Sequence, residues 1–218
     1  MFRMILFTQW KWSRLTVLLG VLAAFALPLL SIQHAGEPDP STWEARRLLA
    51  SVQSWSVLYP ALATTIALLI ALAAWGPDHR GRHVYALSLP LPRWHYALQR
   101  FGAGLVLLAI PAFALWLGAV LAARTATVPM GLHTYAGALA VRFALALGVA
   151  YAVFFAITAG TTRTAGYVLA IVGGIIVVQV LTSVAGIELN LIPFLGDRLL
   201  LWPGPFEIFS GRWMLIDV

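Results

Sequence analysis

Five stretches of this 218-residue chain, 15–32, 55–75, 101–123, 135–159 and 165–185, each run for eighteen residues or more without one acidic side chain. A backbone passing through hydrocarbon meets no water, so its amides and carbonyls must be satisfied within the segment. A helix of about 20 apolar residues does this across a core of about 30 Å. The stretches therefore read as transmembrane helices. With 61% hydrophobic and 10% charged residues, the chain is far from the roughly 25% charge of a soluble domain. The expected fold class is an all-α integral membrane protein with about five spans and a transmembrane domain over 15–185. Pro28, Pro60, Pro111 and the pair Gly173 and Gly174 fall inside spans and read as bends, since neighbouring helices can re-satisfy freed backbone groups.

Orientation follows from the connections that carry Lys and Arg. The N-terminus holds Arg3, Lys11 and Arg14, the connection after the second span Arg80, Arg82, Arg93 and Arg100, and the turn between the fourth and fifth spans Arg163. Asp78 is the one acid among these eight basic residues, whereas the opposite side pairs six basic residues with seven acids. The N-terminus is therefore expected in the cytosol, and a plasma (inner) membrane is the expected location. The net charge of +6 is explained by this sidedness, with basic residues beside anionic lipid, so nucleic acid is not implied as a partner. A cleaved signal peptide is disfavoured, because the first apolar run is eighteen residues long and the small-residue site near Ala35 has Gln33 at its minus-three position.

Residues 1–14 place Arg3, Lys11 and Arg14 on one side of a helical wheel, the pattern of an interfacial helix on the cytosolic leaflet. Phe7 and Trp10 interrupt that pattern, and an N-terminal extension of the first span remains the alternative. On the other side, Ser41 and Glu44 have the spacing of a capping box that starts a helix towards the second span. Residues 186–218 mix Trp202, Phe206, Phe209 and Trp213 with prolines and isolated charges, the composition of a segment lying in the outer interface.

The sequence also excludes several chemistries. It has no G-x-x-x-x-G-K-[ST] phosphate loop, no H-E-x-x-H, no G-x-S-x-G and no cysteine, so neither an ATP cradle of that kind nor a thiolate metal site is expected in this chain. His79 and His83, four apart beside Asp78, lie among basic neighbours that repel a cation, and no metal or catalytic residue is assigned. Arg142 is the one charge well inside a span. It reads either as an anchor reaching the interface or as a residue facing an internal path.

The 23 residues 78–100 are the strongly polar interruption between two long apolar stretches and hold four of the fourteen basic residues. In order they present Asp78, Arg80, Gly81, Leu89 and Pro90, Arg93 and Arg100, with Pro92 immediately before Arg93. This order resembles the first cytosolic loop of permease subunits of type-2 ATP-binding-cassette (ABC) exporters, where an acidic residue, a glycine, leucine-proline, an arginine and a closing basic residue follow one another. The resemblance covers about 23 residues in motif and the rest of the chain in topology alone.

What it implies is specific. Asp78, Arg80, Gly81, Pro90, Arg93 and Arg100 would dock separate cytosolic ABC ATPase subunits, which would hold ATP and Mg, while this chain binds no cofactor. A second permease, identical or related, would complete the unit in the bilayer. Spans two and five would line the path at their seam, making Ala61, Thr64, Thr65, Gln179 and Ser183, with Arg142, the candidates for seam or path. The family pattern has a sixth span, for which this sequence offers no apolar run after residue 185. The implied function is a permease subunit coupling ATP hydrolysis elsewhere to export, and not an enzyme by itself. The rival readings are a non-transporting membrane scaffold or assembly factor and, with no convergent intramembrane acids or histidines to support it, an intramembrane enzyme.

Overall fold

The structure is a computed structural model. It describes residues 2–33, 49–50, 52–80, 92–126, 132–160, part of 167–182, 191–201, 203–211 and 213–217. It is mostly helical. In chain order the elements are α1 (Phe2–Gln33), α2 (Leu58–Arg80), α3 (Arg93–Thr125), β1 (His133–Thr134), α4 (Ala136–Ala159), α5 (Leu191–Leu200), one 3₁₀ turn (Glu207–Phe209) and β2 (Ile216–Asp217). Among the described residues, four helices, within Phe2–Ile32, Val52–Gly76, Trp94–Thr125 and Ala136–Ala159, are long and apolar enough to cross a membrane. The chain is thus a multi-pass α-helical membrane protein. Residues of the expected fifth span that are described, among them Tyr167, Gly173 and Gln179, are helical, and the remainder of that span lies outside the described residues.

Side-chain pairings fix how the four helices run. Gln9 meets Arg100 and Phe25 meets Gly118, so α1 and α3 lie parallel, in the most extensive helix contact. Gly20 meets Ile66 across α1 and α2, while Thr158 reaches the Ala71 carbonyl across α4 and α2. Phe101 stacks on Tyr151 across α3 and α4 with ring centroids 5.3 Å apart. The starts of α1 and α3 and the ends of α2 and α4 therefore share one end of the bundle, called here the N-terminal end. The ends of α1 and α3 and the starts of α2 and α4 share the far end.

The sequence explains this packing. On α1 the buried positions are Gln9, Ser13, Val17, Gly20, Ala24, Leu27, Pro28 and Ser31, a seam largely at three- and four-residue spacing, half of it small or hydroxylated residues. The large side chains Leu15, Leu18, Leu19 and Leu22 point outward. Lipid tails are as apolar as leucine, so in a bilayer the small residues face inward, where they let backbones approach and gain dispersion contacts. At Gly118 the approach is closest: a Cβ there would overlap the Phe25 backbone carbonyl, so only glycine fits.

Two expectations are corrected. Residues 2–14 are not a separate interfacial helix, because α1 continues unbroken through 32 residues. At about 1.5 Å per residue it is about 48 Å long, more than a bilayer core needs, so the basic first turns extend along the same axis. Residues 93–100 are likewise not loop but the first two turns of α3. Pro28 and Pro111 do sit inside helices, whereas Pro60 falls in the first turn of α2, where its missing N–H leaves no ladder bond unmade. The capping-box residues 41–44 lie outside the described residues.

Candidate functional site

Residues 81–91, which include Gly81 and Pro90, lie outside the described residues, but the two helices that carry them in and out are described. Asp78 and Arg80 fall in the last turn of α2 and Arg93 opens α3. Between them stands Arg100. It is 6% exposed, and its guanidinium donates to the Ala74 carbonyl near the end of α2. The same group lies over the Tyr96 ring at 4.8 Å and the Trp75 ring at 5.3 Å. A cation bonded to a carbonyl and faced by aromatic rings is favoured by the ring quadrupoles.

The Arg100 backbone extends the junction. Its carbonyl accepts from the Gln9 amide of α1 at 3.3 Å and faces the Tyr151 hydroxyl of α4 at 3.5 Å. Through one residue, then, α1, α2, α3 and α4 meet at the base of the 81–91 connection. Phe155 completes the cluster, 5.2 Å from Trp75 and 5.3 Å from Phe101 by ring centroids. The expectation that Arg100 contacts a partner directly is corrected, because its head group is buried in this junction. Gln9, Tyr96 and Tyr151 were not foreseen as its companions. The available signal was the pair Gln9 and Ser13, four apart and polar beside an apolar run.

Arg142 belongs to the far end. It lies about 10 Å along α4 from Tyr135, counting about 1.5 Å per residue. Its Nε donates to the Ile208 carbonyl at 3.2 Å, its Nη2 donates to the Ser210 carbonyl, and its guanidinium lies 4.9 Å from the Trp213 ring. The described residues 203–211 and 213–217 thus form a strap folded back on the bundle. Trp213, Met214, Leu215 and Ile216 are buried, so these four residues pack into the bundle rather than lying exposed, as composition had suggested. Trp213 stacks on Tyr59 of α2 at 6.3 Å, and β2 pairs antiparallel with β1, matching His133 with Asp217 and Thr134 with Ile216.

The remaining candidates separate. The Thr64 and Thr65 hydroxyls donate to the carbonyls of Pro60 and Ala61 in their own helix. Ala61 and Thr65 are exposed on α2, and Thr64 and Gln179 are half-buried. Ser183 lies outside the described residues. No family model, curated protein or solved structure matches this chain.

Proposed function

We propose that this chain is the membrane-spanning permease subunit of an ATP-driven ABC exporter, with its N-terminal end in the cytosol of a plasma (inner) membrane. The observation that carries the reading is the Arg100 junction. The polar connection with the order Asp78, Gly81, Pro90, Arg93 is mounted on two helices that Arg100 ties to the other two. A push delivered to that connection by a separate ATPase would act on four helices at once. The same end carries Arg3, Lys11 and Arg14, in keeping with the positive-inside bias. ATP and Mg would be held by the ATPase, and a second permease would share the seam on α2 and the fifth span.

The test is isolation of the tagged chain from its native membranes. An ATP-hydrolysing subunit should co-purify, and Arg93→Glu should reduce its recovery about tenfold while the chain itself remains in the membrane, since charge reversal at a docking rim opposes association. Recovery of the chain with no ATPase, or full recovery with Arg93→Glu, would favour the scaffold reading.

A further inference from the structure

We propose that the outward face of the first turns of α1 is a binding surface for anionic phospholipid of the leaflet at the N-terminal end, with Lys11 and Arg14 as the pair that takes a lipid phosphate. This rests on the multi-pass membrane fold and not on the transport reading, so it holds whether or not an ATPase partner exists. Three observations carry it.

The first is continuity. Arg3, Phe7, Lys11, Arg14, Leu18 and Leu22 follow one another at steps of three or four residues within a single helix, so they form one stripe along α1, and all six are exposed. Leu18 and Leu22 face the acyl chains. A stripe that leaves hydrocarbon on the same face passes next through the headgroups, and there its side chains change from leucine to Arg14 and Lys11. A protein docking from water would not account for basic residues running on into leucines.

The second is how these turns are held. Gln9 and Ser13, on the other face, are buried, and the Gln9 amide donates to the Arg100 carbonyl at 3.3 Å. Ile5, Leu6 and Trp10 pack against the core. The basic side chains are therefore turned away from the bundle on a segment that the bundle fixes. Residues 2–14 carry three basic residues and no acid, so the charge complementary to this face is negative. The third is depth. Trp12 of α1 and Trp94 of α3 are exposed at this same end, 51% and 61%, and exposed tryptophan marks the headgroup zone. Lys11 and Arg14, three apart on one helix, have Cβ atoms about 5 to 6 Å apart. Both can donate to one phosphate, as charge-assisted bonds.

The chain contains no cysteine, so a single fluorophore can be placed on a new thiol. Thr8→Cys, exposed three residues from Lys11, reports on the proposed surface. Leu30→Cys, exposed near the far end of the same helix with no basic residue in 26–33, is the control. Each is placed in phosphatidylcholine nanodiscs containing equal mole fractions of either phosphatidylglycerol or phosphatidylcholine spin-labelled near the headgroup. Phosphatidylglycerol should quench Thr8→Cys about fivefold more strongly than phosphatidylcholine, the effect of a single basic residue at an anionic surface, and both lipids should quench Leu30→Cys alike. Lys11→Gln with Arg14→Gln should bring the ratio at Thr8→Cys close to one, whereas Lys11→Arg with Arg14→Lys should keep it and added salt should lower it. Equal quenching of Thr8→Cys by the two lipids would overturn the proposal and leave this face to an acidic protein. A preference that survives the double glutamine variant, or one just as large at Leu30→Cys, would place the lipid elsewhere and overturn it too.

Discussion

At the scale of single residues, two arginines that composition alone would treat alike do different work. Arg100 and Arg142 are both placed against backbone carbonyls and aromatic rings, but the first joins four helices and the second holds a strap. Replacing Arg100 by Met keeps much of its volume and removes its donors, so the Ala74 carbonyl loses a charge-assisted bond. A loss of about 2 kcal/mol is expected, the range for a buried bond to a charged group. Lys11→Met, at an exposed position, should change stability by no more than about 0.5 kcal/mol. Denaturation of both variants in mixed detergent micelles checks this, and equal midpoints would remove Arg100 from the frame of the bundle. The sequence announced Arg142 as a charge inside a span and Arg100 as the close of the polar connection, but not their partners. Nothing local brings Gln9 to residue 100 or residue 213 to Tyr59, because those meetings depend on how helices far apart in the chain are packed.

At the scale of elements, spans one to four were legible because runs of this length and hydropathy have few alternatives in water or lipid. Their boundaries were less so. The polar residues 93–100 read as loop, yet they extend α3, since a helix can leave the bilayer and carry its hydrogen-bond ladder into water without penalty. On α1 the inward face was obscured because a membrane helix turns its small and hydroxylated side chains inward, opposite to a soluble one. For the proposed seam, the exposed positions Ala61 and Thr65 are better placed than half-buried Thr64. Cysteine at Thr65 paired with cysteine at Gln179 should give a cross-linked two-permease product in native membranes. Cysteine at Thr64 should give less than a third of it. Ready reaction of Thr65→Cys with lipid-soluble reagents and no cross-link would place that face against lipid.

At the scale of the whole molecule, sidedness can be tested apart from any partner. The bundle brings the N-terminus of α1 and the connection between α2 and α3 to one end, and the connection between α1 and α2 to the other. Cysteines at Ser88 and Ser41 should therefore label from opposite sides of sealed cells, Ser41→Cys from outside. Labelling of Ser88→Cys from outside would reverse the orientation derived from the basic residues. The parallel pairing of α1 with α3 has one more implication, for biosynthesis. The face of α1 bearing Gln9 and Phe25, which meets Arg100 and Gly118 of α3, waits in the bilayer until a helix begun about sixty residues further along the chain has been made, so hairpin-by-hairpin insertion cannot complete the fold. Chains halted after α2 would present that unmatched seam to quality control, and the third helix, when it arrives, is what closes it.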